Sequence, residues 1–90
     1  MEEYCCIEGC EKGKEYQIKW EKGGETIQER GACNQLAHVA QAGFDEERGK
    51  PSSITQMVTN EEDSHLLKIV TGTLPYQELV KTGEFKVRKE

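Results

Sequence analysis

The stretch that decides the fold is residues 15–30, EYQIKWEKGGETIQER. Tyr16, Ile18 and Trp20 alternate with polar residues, which is the period of a half-buried β-strand. Two consecutive glycines then stand where a tight turn needs residues with positive φ, and TIQER reads as the return strand. The stretch therefore predicts a β-hairpin with Trp20 in the core.

Beyond the hairpin, the apolar pattern predicts an α+β fold. Cys33, Leu36 and Ala40 recur at helical spacing, with His38 on the opposite face of the same helix. The predicted order is β-β-α-β-β-α-β: a mostly antiparallel sheet of four or five strands, with one or two helices on one face. The remaining predicted elements are strands over SITQMVT (53–59) and HLLKIVTG (65–72), a helix over LPYQELVK (74–81) and a last strand over EFKVRK (84–89).

Length and charge restrict the function classes. The chain has 90 residues, a net charge of −5 and four cysteines. Because a chain of this length has a small core, a cross-link such as a bound metal ion would stabilise its fold. The acidic balance disfavours nucleic-acid binding, and no apolar run predicts a membrane span. MEEYCC lacks the apolar region of a signal peptide, which predicts a cytoplasmic protein with reduced thiols. We expect residues 1–14 to form a flexible or knuckle-like arm and residues 15–90 a single α+β domain.

The cysteines carry the main functional prediction. Cys6 and Cys10 form a Cys-x3-Cys pair, and Gly9 allows the sharp bend that a metal-binding knuckle requires. Further candidates stand at the start of the predicted helix. Zn²⁺ binds Cys and His readily in tetrahedral geometry, and a closed four-ligand site is structural. The candidate metal ligands are Cys6, Cys10, Cys33 and His38, a set in which the neighbouring Cys5 has no evident role.

The order of these features over residues 5–42, a knuckle, a hairpin and ligands at a helix start, resembles small treble-clef zinc domains. The resemblance implies one structural zinc ion. Such domains usually separate their helix-side ligands by two residues, whereas Cys33 and His38 are five positions apart. On a regular helix of about 100° per residue, five positions turn the two side chains about 140° away from each other. Both bind one ion only if Cys33 lies before the helix.

Two other interpretations of the cysteines stay open. Cys33 can serve as a small apolar core residue, with His38 solvated and the N-terminal cysteines in an unstructured tail. Alternatively, an N-terminal cysteine is an exposed redox thiolate whose pKa is lowered by Lys12 or Lys14. The redox interpretation lacks the Cys-x2-Cys at a strand–helix junction that thioredoxin-like sites use.

These patterns favour a small cytoplasmic, non-catalytic interaction or regulatory module with either no cofactor or one structural zinc. The competing prediction is a thiol redox protein or small enzyme that uses the N-terminal cysteines. The expected partner is another protein or a second copy paired along an exposed sheet edge. Nucleic acid and membranes are not expected as partners.

Overall fold

The computed structural model describes residues 4–88 and confirms the α+β fold class. One antiparallel sheet has the strand order β2-β1-β3-β4. The elements, in chain order, are β1 (Tyr16–Lys22), β2 (Glu25–Ala32), α1 (Leu36–Ala42), β3 (Ser53–Gln56), β4 (Glu61–Glu62), α2 (Ser64–Gly72) and α3 (Leu74–Thr82).

The hairpin forms where the alternation predicts it. Gly23 and Gly24 connect β1 to β2 with φ of 62° and 82°, a conformation that L side chains adopt only with strain. The strands are paired from Tyr16 with Ala32 to Lys22 with Glu25, and a bulge interrupts the register after Trp20. β1 lies inside the sheet, because β3 pairs with the edge that β2 leaves free, and β2 forms one outer edge.

The core lies between the sheet and the helices. Ile18 and Trp20 of β1 pack with Ile54 of β3, and all three side chains are at most 2% exposed. Trp20 also donates its indole N–H to the carbonyl oxygen of Gly49, 3.1 Å away, so its one polar atom is satisfied. The prediction that Trp20 belongs to the core is confirmed.

The prediction of a strand over HLLKIVTG is wrong, because these residues belong to the helix α2. Its density of Leu, Ile and Val suggested a strand, yet Leu66 and Val70 are buried one helical turn apart. Asp63 caps the helix by accepting a hydrogen bond from the Leu66 amide at 2.8 Å. The short strand β4 instead lies between the two segments predicted as strands, 53–59 and 65–72.

The end of the chain also differs from the prediction. The helix over 74–81 is confirmed as α3, which ends at Gly83 with a left-handed φ of 70°. The prediction of a last strand over 84–89 is wrong. Within residues 84–88, only Val87 makes a β-bridge, and its partner is Ile7. Within residues 4–88, no helix combines the length and apolar character needed to cross a membrane.

Candidate metal centre

Four metal-ligating side chains converge on one buried point. Their ligand atoms all lie within 4.8 Å of one another, and none of the four residues is more than 8% exposed. Two come from the N-terminal segment, one from the connection between β2 and α1, and one from the first turn of α1. We call this group, Cys5, Cys10, Cys33 and His38, the Cys3His site.

The N-terminal half of the site is a tight loop. The Cys5 amide donates to the Lys12 carbonyl oxygen at 2.8 Å, and the Cys10 amide donates to the Ile7 carbonyl oxygen at 3.1 Å. Gly9, with φ of 83°, supplies the left-handed residue that returns the chain toward Cys5. The loop thus has the bend that the sequence predicts, and it brings Cys10 to the same point as Cys5.

The second half depends on where α1 begins. The helix starts at Leu36, so Cys33 lies before it and is free of the helical rotation that would separate it from His38. The Cys33 Sγ and His38 Nδ1 atoms are 3.3 Å apart. The buried face of α1 is therefore the one that carries His38, Val39 and Gln41, while Leu36 is 42% exposed. The interpretation of His38 as a solvated residue is wrong.

Three of the distances within the Cys3His site are close to those around one tetrahedral ion. With Zn–S bonds of about 2.3 Å and Zn–N bonds of about 2.0 Å, ligand atoms at a tetrahedral angle lie about 3.8 Å apart for two sulfurs and about 3.5 Å apart for a sulfur and a nitrogen. The Cys10 and Cys33 sulfurs are 3.9 Å apart, and the Cys5 sulfur lies 3.8 Å from His38 Nδ1. All four cysteines are free thiols rather than disulfide partners.

Hydrogen bonds favour the thiolate of Cys5, whereas burial disfavours the thiolate of Cys33. The Cys6 thiol hydrogen-bonds to Cys5 and lowers the pKa of Cys5; burial opposes this effect, and the amides of Ile7 and Cys33 reinforce it. Burial raises the pKa of Cys33 to about 11, although the Gln35 amide acts in the opposite direction. N–H donors around metal-bound sulfurs orient the ligands and tune a site of this kind.

The structure places Cys6 outside the Cys3His site. The cluster contains Cys5 together with the three other predicted residues, Cys10, Cys33 and His38. Cys6 instead lines a depression beside β2, with Lys14 and Gly31 among its neighbours. Hydrogen bonding to Cys5 and burial both raise the pKa of the Cys6 thiol, so it stays protonated as a donor.

The sequence spacing admits Cys5 as well as Cys6. Cys5 and Cys10 are separated by four residues, and Cys6 and Cys10 by three. Zinc sites use both spacings, and either cysteine gives a short loop to Cys10. The spacing alone therefore does not select Cys5 over Cys6.

The burial of the N-terminal cysteines bears on the other interpretations. Cys5, Cys6 and Cys10 are at most 8% exposed, and they belong to the same core as Trp20. Reactive redox cysteines lie in partly exposed positions, which these three do not occupy. No family model, curated protein or solved structure matches the chain.

Proposed function

We propose that the protein is a small non-catalytic interaction module whose fold is held by one structural zinc ion in the Cys3His site. The observation that carries the proposal is the convergence of three sulfurs and an imidazole nitrogen within 4.8 Å of one another. Three thiolates and an imidazole suit Zn²⁺ among the common cellular metals.

A structural role is favoured because the site is closed. Catalytic zinc sites keep one coordination position open for water or substrate and usually have three protein ligands. Here the protein supplies four ligands, and all of them are buried. The close spacing also favours a single ion, since an iron–sulfur cluster needs room for its inorganic sulfides between the cysteine sulfurs.

The zinc would join distant parts of the chain. One ion would tie the loop containing Cys5 to the start of α1, more than 20 residues away in sequence. Such a cross-link stabilises a small domain whose own core is limited. Because the ion would lie inside the fold, we assign the function to the outer surface and propose a protein as its partner.

The test compares two adjacent cysteines. We expect protein purified without chelators to contain one zinc per chain, and Cys5→Ser to lose most of it because one of four ligands is removed. Cys6→Ser is the matched control, with the same chemistry one position along the chain, and it keeps the full complement of zinc. Metal content is measured by mass spectrometry of the intact, natively ionised protein.

Cobalt substitution supplies a second readout, which uses the wild type and Cys6→Ser and therefore does not require Cys5→Ser to fold. Co²⁺ bound by three sulfurs and one nitrogen gives intense charge-transfer and tetrahedral d–d absorption in the wild type and in Cys6→Ser. Absence of zinc from the wild type would falsify the proposal, and so would equal metal loss in the two variants.

A further inference from the structure

A second feature of the molecule, separate from the Cys3His site, is a cleft of about 370 Å³ between the ends of α1, α2 and α3. Its wall is mainly apolar, with Phe44, Val70 and Val80 among the lining residues. No ligand of the Cys3His site lines it. The volume falls in the lower part of the range typical of small-molecule sites, which are apolar concavities with a few polar groups.

The charged residues that line the cleft leave it with an excess of positive charge. Lys50 and Lys81 both line it, and within residues 4–88 the structure pairs neither amine with a carboxylate. Asp45 is the acidic residue in the lining, but its carboxylate is already bound by Arg30 and Arg48. The cleft therefore has two available positive charges on a protein whose net charge is −5.

The helix ends around the cleft could oppose an anion, because carbonyl groups at helix C-termini carry partial negative charge. Near the ends of α1 and α2, side-chain N–H groups donate hydrogen bonds to carbonyl oxygens and so offset this negative charge. Arg30 donates to the carbonyl oxygens of Ala42, the last residue of α1, and of Phe44 beyond it, and Gln77 donates to that of Thr71 near the end of α2. The two lysines thus determine the charge preference of the cleft.

From the apolar wall and the two unpaired lysines, we propose that this cleft binds a small amphipathic carboxylate. The hydrocarbon part packs against Phe44, Val70 and Val80, and the carboxylate lies between the amines of Lys50 and Lys81. This inference goes beyond the proposed structural zinc. It depends on the helical part of the fold, whereas the zinc proposal depends on the Cys3His site.

The test uses three probes that share a ten-carbon chain and differ in the head group: decanoate, decanol and decyltrimethylammonium. Decanoate and decyltrimethylammonium are titrated below their micellar concentrations, and decanol below its solubility limit, into isotopically labelled protein of known zinc content, and amide chemical shifts are followed by NMR. We expect decanoate to shift the resonances of Phe44, Val70 and Thr71 and to bind at least severalfold more tightly than the other two. Equal binding of the three, or shifts confined to other regions, overturns the proposal.

Two sets of variants test the residues. Because exposed ion pairs contribute modestly, Lys50→Gln with Lys81→Gln should weaken decanoate about tenfold and leave decanol unchanged. The control, Lys12→Gln with Lys22→Gln, removes the same charge from exposed sites outside the cleft and should leave decanoate binding unchanged. Thr71→Phe, which fills the cleft, should weaken both probes.

The outcomes separate this proposal from its competitors. Equal loss of decanoate in the two double variants means that net charge alone attracts the probe, which overturns the site. A protein that sediments as a dimer through this cleft, so that decanoate cannot enter, also overturns it. Zinc analysis of the same sample is an independent result, so failure of decanoate binding leaves the structural zinc proposal standing, and absence of zinc leaves the cleft proposal standing.

Discussion

Asp45 is the residue that joins the end of α1 to the edge of the sheet. Its Oδ2 atom accepts hydrogen bonds from Arg48 at 2.6 Å and from Arg30 at 3.2 Å. Its Oδ1 atom accepts from the amides of Glu47 and Arg48 at 2.9 Å each. Arg30 also lies over the ring of Trp20, 5.1 Å from the ring centroid, so this carboxylate fixes a cation–π contact to the core.

The electrostatics of Asp45 give a pH prediction. Burial raises the pKa of this carboxyl, but the Arg48 amide and guanidinium and the Glu47 amide outweigh burial, so the pKa lies below its ordinary value of 3.8. A lowered pKa in the folded protein contributes stability that is present above pH 3.8 and is lost as the pH falls through the folded-state pKa.

We therefore expect Asp45→Asn to lower the free energy of unfolding by about 1–2 kcal/mol at pH 7, the scale of a partly exposed ion pair with charge-assisted hydrogen bonds. Because the carboxyl stays ionised above pH 3.8, the difference from wild type should be the same at pH 7 and at pH 5.5. Urea unfolding of both proteins at these two pH values, with zinc in excess so that the metal stays bound, measures it. Glu46→Gln, at an exposed neighbour, is the control with little effect. A difference that falls between pH 7 and pH 5.5 contradicts the lowered pKa.

Among the elements, the segment that follows α3 has a specific relation to the Cys3His site. Phe85 packs edge-on against the His38 ring, with 4.9 Å between the ring centroids. The Glu8 amide donates to the Lys86 carbonyl oxygen, and the Arg88 guanidinium donates to that of Cys10. Residues 85–88 therefore cover the loop that carries two of the four ligands.

This packing predicts a kinetic effect on the metal. Phe85→Ala removes the ring that holds the His38 imidazole in place, and changes in groups that orient metal ligands typically cost about 10- to 100-fold in affinity. We expect zinc transfer to a coloured chelator to be at least severalfold faster in Phe85→Ala than in wild type. Lys86→Ala is the control, because its exposed side chain lies next to Phe85 while its backbone contact is kept. Equal transfer rates in Phe85→Ala and Lys86→Ala contradict the role given to Phe85.

The same elements explain which parts of the fold and the site were predictable. The hairpin could be predicted because alternation and the glycine turn are local signals that tertiary contacts did not override. The segment containing Leu66 and Val70 was assigned to the wrong class, since an apolar run fits a buried strand and a short helix equally well until its cap is known. Asp63, three residues before Leu66, was the available signal for that cap.

The candidate site shows a similar division. Cys10, Cys33 and His38 were predicted and come together, whereas Cys5 occupies the place expected for Cys6. Two adjacent residues in a non-helical loop point in different directions, and which of them faces inward depends on how the loop packs against β2. The Cys6 amide donates to the Gly31 carbonyl oxygen on that strand, a tertiary contact that sequence spacing does not encode.

At the scale of the whole molecule, the cysteines form part of the core itself. Within residues 4–88, all four cysteines belong to the single cluster of buried apolar residues that also contains Trp20 and Ile18. The remaining members include several alanines and valines, which bury little area each. A domain of this size has a small margin of stability, so the proposed metal, bound by three of these cysteines, would supply much of what keeps the fold together.

Removal of the metal should therefore unfold the protein rather than only deplete one site. Structural zinc contributes about 10–16 kcal/mol of apparent binding free energy at neutral pH, which matches or exceeds the whole stability of a small domain. We expect a strong zinc chelator to abolish the cooperative thermal transition and to shift Trp20 fluorescence to longer wavelength, because this side chain is 2% exposed in the folded protein. Added zinc should restore both signals, and added magnesium, which prefers oxygen ligands, should restore neither. If zinc is extracted stoichiometrically while the transition and the Trp20 emission stay unchanged, the core is stable without the ion and the Cys3His site is not what holds the fold.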